Sequence, residues 1–364
     1  MNKILVKSVL YGVLLPTLAG WAGGQDFSVP GSYAAGWREV SVTRPNNSTF
    51  TALLYYPAQT ATQNAEIHLQ ASPCPGISFG HGYQVNPDKY RSTFTHLASW
   101  GYVVIASRSG GELFPSHQNF ANDLSTCLTW LIEQTENPAS FLYQFVNSDA
   151  LALSGHSMGG GASILAAAAD HRVKAVANLA AANTNPSAIT GIQSVQVPIS
   201  LISGSDDTIV PVGSHGQLMY NNALAPKQLP VIQGGYHCGF MDSNILFCDS
   251  GSLSRNEQLT ITRHLLTVFF ELHLKHNYAV WGWVRGSAML NDPRWSAQMD
   301  ACIPGDFDSD CCVTVPDLQI FLMYWQQQSP CSLPDWCSGR DFDQNGKVDL
   351  ADLAIISQQW LNCF

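Results

Sequence analysis

Residues 155–159 read G-x-S-x-G, with Ser157 at the centre, between an apolar segment and an alanine-rich one. This motif is typical of a sharp strand-to-helix turn, which crowds its neighbours and therefore places glycine on both sides of the serine. The turn lifts the serine hydroxyl above the edge of a sheet, at the N-terminus of a helix. Ser157 is our candidate nucleophile. His156 beside it is expected to line a cleft without acting as a base.

A serine hydroxyl needs a base, and an acid that orients the base, before it can attack a carbonyl carbon. Asp206 and Asp207 follow a predicted strand at 199–203, and either could be the acid; the pattern G-x-x-D-x-I/V favours Asp207 and leaves Asp206 as a solvated or turn-capping neighbour. His237 lies among glycines after the next predicted strand, 30 residues beyond Asp207. The order Ser157, Asp207, His237 predicts a catalytic triad.

Two backbone N–H groups must also face the negative oxygen that forms when a carbonyl is attacked. One is expected from Met158, the residue after the nucleophile. The other is expected from Tyr83, in a G-H-G-Y loop at 80–83 that follows another predicted strand. The alternative for Tyr83 is an ordinary aromatic residue of a surface loop.

The elements around these motifs alternate between strands and helices, which predicts an α/β fold with a mainly parallel sheet covered by helices on both faces. Ligand sites in such sheets form at the carboxyl ends of the strands, where the motifs lie. An antiparallel hairpin at 37–43 and 50–56 is expected to precede strands at 76–80, 102–107, 150–154, 173–179, 199–203 and 228–232. Helices are predicted at 90–100, 119–135, 159–170, 214–224 and 254–274.

The segments at 79–83, 155–161, 204–211 and 234–238 together resemble the α/β-hydrolase superfamily. The likeness spans roughly 37–278 and is closest to bacterial cutinase-like polyester hydrolases of the PET-hydrolase type. It implies a serine carboxylic-ester hydrolase that works through an acyl-enzyme and needs no cofactor for catalysis. Such enzymes usually carry an aromatic residue in the loop that corresponds to 180–186, and this chain has none there. Ester hydrolysis is therefore expected, but aromatic polyester is a less expected substrate.

The last part of the chain is strongly acidic and repeats itself. Residues 305–364 contain nine aspartates against one arginine and one lysine, a net charge of −7. A repeat with an offset of 35 places oxygen ligands at loop positions 1, 3, 5 and 12, which is the EF-hand-like arrangement for Ca²⁺. The candidate ligands are Asp306, Asp308, Asp310 and Asp317 in the first loop and Asp341, Asp343, Asn345 and Asp352 in the second.

This duplicated loop–helix pattern resembles a dockerin module, which is all-α. The resemblance implies structural calcium and a cohesin partner, and a stabilising or cell-surface module is the alternative. Loop position 6 is Gly346 in the second repeat but Cys311 in the first. Loop positions 10 and 11 lack the Ser-Thr pair that is common in cohesin-binding dockerins. Calcium binding is therefore the firmer of the two expectations.

The N-terminus has the order of a secretory signal, with lysines, an apolar run and small residues up to position 24. We therefore predict a leader at 1–24, a hydrolase domain at 25–285, a linker at 286–304 and the dockerin-like module at 305–364. The alternative for the leader is a short membrane anchor. The formal net charge of −10 argues against nucleic acid as a partner. The expected protein is secreted, with an ester substrate and no membrane association.

Ten cysteines suit an oxidising compartment, and they divide into four within the hydrolase domain and six from Cys302 onward. Cys238–Cys248 is the preferred disulfide because it would brace the loop beside His237. Cys74–Cys127 then follows by elimination. Zinc is not expected, since the sequence has no C-x-x-C pair.

Two further functions stay open at this point. One is a carbohydrate esterase that releases acetyl or feruloyl groups from plant polysaccharide, which the dockerin-like tail would suit. The other is a non-catalytic binding protein that is tethered through its tail.

Overall fold

The structure is a computed structural model that describes residues 25–300, 305–308, 312–325, 331 and 336–362. The predicted leader at 1–24 and the candidate ligand Asp310 lie outside the described residues. Among the described residues, no helix combines the length and the apolar character that crossing a membrane requires.

Nine strands of the described residues form one mixed sheet. They are β1 (Ala34–Thr43), β2 (Thr49–Ala58), β3 (Cys74–Gly80), β4 (Val103–Ser107), β5 (Val146–His156), β6 (Val173–Leu179), β7 (Ile199–Gly204), β8 (Lys227–Ile232) and β9 (Trp295–Asp300). Their order across the sheet is β1-β2-β4-β3-β5-β6-β7-β8-β9. The strands from β4 to β8 are parallel, whereas β1, β2 and β9 pair antiparallel at the two edges.

Helices cover both faces of this sheet. The helices before β9 are α1 (Arg91–Ser99), α2 (His117–Glu136), α3 (Met158–Ala167), α4 (Ala188–Gly191), α5 (Gly216–Asn222), α6 (Arg255–Lys275), α7 (Trp281–Val284) and α8 (Ser287–Asn291). The tail after β9 contains α9 (Val315–Leu322), α10 (Trp336–Gly339) and α11 (Leu350–Gln358). The strands are apolar on both sides because each face is buried under helices. On β4, for example, Val104 packs in the cluster with α1 and α6, while Ile105 packs in the cluster with α2 and α3.

The prediction of a mainly parallel α/β sheet is confirmed. Each of the eight predicted strands is present, and the five predicted helices correspond to α1, α2, α3, α5 and α6, with bounds that differ by a few residues. The predicted hairpin is β1–β2, and Asn47 takes the positive φ of 65° that its tight turn requires.

The prediction of a linker over 286–304 is wrong for residues Trp295–Asp300, which form strand β9. β9 pairs antiparallel with β8, from Trp295 opposite Ile232 to Asp300 opposite Lys227. Trp295 is buried, and its indole N–H donates to the Met289 carbonyl at 2.8 Å. The sheet therefore continues through Asp300, beyond the predicted domain boundary at residue 285.

The predicted Cys74–Cys127 disulfide is also wrong, since both cysteines are free and buried. Cys74 opens β3, whereas Cys127 interacts with Ser78, four residues further along the same strand. Four strand residues span about 13 Å, and a disulfide needs its two Cα atoms within about 7 Å. Burial raises the pKa of the Cys74 thiol to about 12, so it stays protonated.

The described part of the tail has a small apolar core of its own, in which Phe307, Phe321, Val348 and Ile356 are buried. Helices α9 and α11 follow the described residues of the two acidic segments. Each helix begins with the same capping box, in which the carboxylate at its third position accepts the N–H of the N-cap residue. The sequence repeat is therefore also a repeat of hydrogen bonds.

Candidate active site

Ser157 alone forms the turn between β5, which ends at His156, and α3, which begins at Met158. Its φ of 56° is positive, a conformation that costs a non-glycine residue about 1–3 kcal/mol and that clusters at functional sites. The Ser157 N–H donates to the Leu179 carbonyl at 3.0 Å, and its carbonyl accepts the Ala182 N–H at 2.9 Å. The strained turn is thus held in place by β6 and the loop after it.

Gly159 brings a second loop close to this turn. A Cβ atom at Gly159 would lie 2.1 Å from the Gly80 carbonyl oxygen, so any side chain there would push the end of β3 away. The loop that carries Tyr83 begins at this point. The N–H of Met158 lies in the first turn of α3, where backbone donors have no acceptor within the helix.

Side-chain contacts fix the Tyr83 loop to the loop after β4. The two ring nitrogens of His81 lie 2.7 Å from the Gly82 carbonyl oxygen and 2.8 Å from that of Ser109. The half-exposed Tyr83 donates its hydroxyl proton to the Leu113 carbonyl at 2.7 Å. Tyr83 is therefore anchored at the tip of its side chain, and the loop before it is held through His81.

Asp207 and His237 form a buried pair at the carboxyl ends of β7 and β8. Asp207 Oδ2 lies 2.8 Å from His237 Nδ1. The other carboxylate oxygen of Asp207 accepts the N–H groups of Ile209 at 2.9 Å and Val210 at 2.6 Å. Both side chains are almost fully buried. The aspartate therefore keeps Nδ1 of the imidazole engaged and directs Nε2 away from itself.

The Asp206 carboxylate contacts two serines and not His237. Its Oδ2 accepts the N–H and the hydroxyl proton of Ser252, each at 2.9 Å, and Ser205 donates to its Oδ1. These hydrogen bonds lower the pKa of Asp206. Of the two aspartates that the sequence left open, Asp207 is the one in contact with His237.

The Ser157 hydroxyl makes no hydrogen bond to His237 or to any other group in the described part of the chain. His156, the residue before it, has its ring centroid 4.5 Å from that of His237. The nucleophile candidate and the histidine thus belong to one cleft, with the hydroxyl of Ser157 left unengaged.

His156 belongs to a buried chain of hydrogen bonds that links the two loops. The Gly82 N–H donates to the Tyr90 hydroxyl at 3.1 Å, and that hydroxyl lies 2.8 Å from His156 Nδ1. Burial holds the pKa of His156 well below its usual value, so the ring is neutral. This agrees with an expected role for His156 other than that of the base.

Cys238 and Cys248 are joined, so the predicted disulfide beside His237 is confirmed. The loop that it closes carries Phe247, which is 89% exposed, and Leu246. On the loop after β4, Phe114 is 88% exposed next to Leu113. Both loops follow carboxyl ends of parallel strands, so both lie at the edge of the sheet where the candidate site is.

The two acidic loops of the tail gather their carboxylates. Oxygen atoms of Asp306, Asp308 and Asp317 lie within 4.8 Å of one another, and so do those of a second group, Asp341, Asp343 and Asp352. Burial and the neighbouring Asp352 charge raise the pKa of Asp341. Hard oxygen donors in two equivalent groups are the donor set that Ca²⁺ prefers, so the residues fit this ion. Asn345 lies at the second group and donates its side-chain amide to Asp343 at 2.9 Å.

Sequence reasoning missed two residues at the site, Tyr90 and Asp249. Tyr90 is 66 residues from its partner His156 in the sequence. Asp249 binds the backbone of His237 from the far end of the disulfide loop. The only signal for Asp249 was its place next to Cys248, and nothing in the spacing pointed to Tyr90.

A family model described as PET hydrolase-like matches residues 29–251. Cutinase est1 of Thermobifida alba is 28% identical over 169 residues, which cover 46% of this chain and 51% of that protein. Cutinase 1 of Thermobifida cellulosilytica is 28% identical over 185 residues, which cover 50% of this chain and 63% of that protein. Lipase 1 of a Moraxella species is 27% identical over 141 residues, or 39% of this chain and 41% of that protein.

The chain thus spans about half the length of the curated relatives that it matches. The family match covers more than half of the chain, and Ser157, Asp207 and His237 all fall within it. The protein belongs to the PET hydrolase-like family.

Proposed function

We propose that this protein is a serine carboxylic-ester hydrolase in which Ser157 is the nucleophile, His237 the base and Asp207 the acid. The observation that carries the proposal is the buried 2.8 Å contact between Asp207 and His237, at the sheet edge where the strained Ser157 turn lies. A carboxylate on Nδ1 leaves Nε2 as the only site at which the neutral ring can take a proton.

In the first half of the reaction, the Ser157 oxygen bonds to the ester carbonyl carbon while its proton moves to His237 Nε2. The carbonyl oxygen becomes negative, and the N–H groups of Tyr83 and Met158 stabilise it. His237 then gives its proton to the alcohol oxygen as the carbon–oxygen bond breaks. The products are a free alcohol and an acyl group on Ser157.

In the second half, water takes the place of serine. His237 removes a proton from the water, whose oxygen bonds to the acyl carbon. The proton then returns to the Ser157 oxygen as the acyl bond breaks and the acid leaves. Asp207 stabilises the charged imidazole in both halves, which is worth several kcal/mol in triads of this type.

For the substrate, we propose large apolar esters, with aliphatic polyester of the cutin type ahead of aromatic polyester. Relatives from three Thermobifida species carry the name cutinase. The exposed Phe114 and Phe247 also offer apolar surface beside the cleft. The loop that begins at Ala180 is built from small and polar residues, with Ala180 and Ala181 buried. It supplies no ring that could hold an aromatic acid.

The test is hydrolysis by the purified full chain of p-nitrophenyl butyrate, triglyceride, aliphatic polyester, aromatic polyester and acetylated xylan. Wild-type protein should release acid from the first three, and Ser157→Ala should lose that activity without loss of folding. Preference for acetylated xylan would favour a carbohydrate esterase. Failure of the wild type on every ester would favour a binding protein and overturn the proposal.

For the tail, we propose a dockerin-like module that binds two Ca²⁺ ions through the acidic loops and docks to a cohesin or a cell-surface partner. We also propose that the protein is secreted. The two matched carboxylate groups support the calcium sites. Calorimetric titration of the full chain should give two sites. Asp341→Asn with Asp352→Asn should remove one of them, and the exposed Asp149→Asn should serve as the control that retains both.

A further inference from the structure

The Asp249 carboxylate receives backbone N–H groups from both loops that carry the acid and the base. Its Oδ2 accepts from His237 N at 2.9 Å and from Thr208 N at 3.3 Å. Its Oδ1 accepts from Cys238 N at 2.9 Å. Thr208 directly follows Asp207 in the sequence. One side chain therefore joins the loop after β7 to the loop after β8, immediately behind the Asp207–His237 pair.

We propose that Asp249 is a positioning residue that sets the register between Asp207 and His237, an inference that rests on the proposed function. The Asp207–His237 contact joins two separate loops, so its length depends on how those loops are held. Hydrogen bonds to an ionised carboxylate are about twice as strong as neutral ones. Three of them on one partly buried side chain fix both backbones at the residues where alignment matters.

The Cys238–Cys248 disulfide places this carboxylate. Cys248 precedes Asp249 in the chain and is bonded to Cys238, whose own N–H donates to Asp249. The disulfide and the three hydrogen bonds therefore form one closed unit around the backbone of His237.

Asp249 also places a negative charge beside His237. The titratable groups that face His237 are Asp207 from the loop after β7, Asp249 from the disulfide loop, His156 from the nucleophile turn and His215 before α5. Burial lowers the pKa of both His156 and His215, so neither adds positive charge near neutral pH. The imidazolium that forms during the reaction is therefore balanced by two carboxylates.

Asp206 is a matched control for this role. It too is a carboxylate that holds the loop after β7 to the segment after Cys248, through Ser252 at 2.9 Å. It differs from Asp249 because it makes no hydrogen bond to His237 or Cys238 among the described residues. Loss of Asp206 should therefore loosen the same two segments without disturbing the base.

The experiment compares wild type, Asp249→Ala, Asp249→Asn and Asp206→Ala in the full chain with a soluble p-nitrophenyl ester. We expect kcat to fall by about 10-fold to 100-fold in both Asp249 variants, with KM within about 2-fold of wild type, because misalignment of a catalytic group lowers kcat. The acid limb of the kcat/KM profile should move to lower pH, since loss of a negative charge disfavours the imidazolium. Asp206→Ala should change neither quantity by more than about 2-fold.

Active sites are counted by labelling Ser157 with a fluorophosphonate, and kcat is expressed per labelled site, so that unfolded protein does not contribute. Wild-type kcat in an Asp249 variant, an unmoved acid limb, or an equal loss in Asp206→Ala would each overturn the inference. These outcomes leave the proposed function intact, because that function fails only if the wild type itself hydrolyses no ester.

A double-mutant cycle tests whether the disulfide and Asp249 act together. Cys238→Ser with Cys248→Ser should lower kcat, and adding Asp249→Ala to this pair should cost less than it does in the wild type. Full additivity of the two losses would mean that the disulfide does not place the carboxylate.

Discussion

Carboxylates in the two parts of this chain face different kinds of neighbour. In the hydrolase part, Asp207 meets donors on both oxygens, namely two backbone N–H groups and the His237 ring. In the tail, Asp341, Asp343 and Asp352 bring their oxygens within 4.8 Å of one another, and burial and the charge of a neighbour raise the pKa of Asp341. Both sets of carboxylates accept backbone N–H groups, but Asp207 faces an imidazole, whereas Asp341 and Asp352 face other carboxylates.

This difference separates what each part needs in order to work. A carboxylate that is saturated by protein donors is aligned before any ligand arrives, which is the condition for electrostatic catalysis. A group of carboxylates that repel one another is stable only when a cation offsets the repulsion. We therefore expect hydrolysis to be independent of calcium and the order of the tail to depend on it.

The largest effect should come from removing the carboxylate that contacts His237 in the hydrolase part. Asp207→Asn keeps the shape of the side chain but supplies an amide where His237 needs a carboxylate. We expect kcat for a soluble ester to fall by about 10³-fold to 10⁴-fold, because the imidazole loses both its tautomer and its counter-charge. Steady-state kinetics measure the loss, and calcium titration of the same variant should be unchanged. A kcat within about 10-fold of wild type would mean that another group acts as the acid.

Removing calcium should loosen the acidic loops of the tail. With a chelator, we expect the acidic loops to lose protection from hydrogen exchange, including the N–H groups of Phe307 and Phe342 that Asp317 and Asp352 accept. Amides of β5 and β7 should keep their protection, and kcat should stay within about 2-fold. Exchange measured by mass spectrometry on the full chain gives both readings. Tail protection that is equal with and without calcium would contradict the calcium proposal.

A smaller effect should follow from the Tyr90 hydroxyl, which links the Gly82 loop to His156. Tyr90→Phe keeps the buried ring but releases both partners, and we expect kcat to fall by about 10-fold with little change in KM. Tyr102→Phe is the matched control, because Tyr102 is also fully buried and donates its hydroxyl to Glu271 at 2.9 Å, away from the cleft. Equal changes in kcat for the two variants would assign Tyr90 to stability alone.

The smallest effect concerns the exposed rings at the edge of the cleft. Phe114→Ser with Phe247→Ser should lower adsorption to an aliphatic polyester film and its hydrolysis by about 3-fold to 10-fold, because each ring contributes apolar area. Hydrolysis of a soluble ester should stay within about 2-fold. A loss on both substrates would place these side chains inside the acyl pocket and not on a docking surface.

Local patterns in the sequence predicted what depends on neighbours in the chain. The turn at Ser157 needs glycine and a strand before it, and a repeat offset of 35 placed Asp317 and Asp352 at equivalent positions. These features follow from backbone sterics and from spacing alone. The central strands could also be predicted from the sequence, because their continuous apolar runs indicate burial on both faces of a sheet.

Features that join distant segments could not be predicted in this way. An even number of cysteines predicted a disulfide between Cys74 and Cys127, but both are free. Cys127 lies beside Ser78, which is further along β3 than Cys74. β9 alternates more buried and more exposed residues, but six residues are too few for this pattern to predict a strand. The strand forms because it pairs with β8, which would otherwise lie at the edge of the sheet. The contacts of Tyr90 and Asp249 depend on loops that only the folded sheet brings together.

The position of β9 determines where this protein can be cut. A fragment that stops at the predicted boundary, residue 285, would lose the strand that covers β8 and would leave a row of unpaired backbone donors and acceptors at the border of the sheet. Such borders recruit strands from other molecules. A soluble hydrolase fragment should therefore end beyond Asp300. A fragment that ends at residue 285 should precipitate, even though every residue assigned to catalysis is still present.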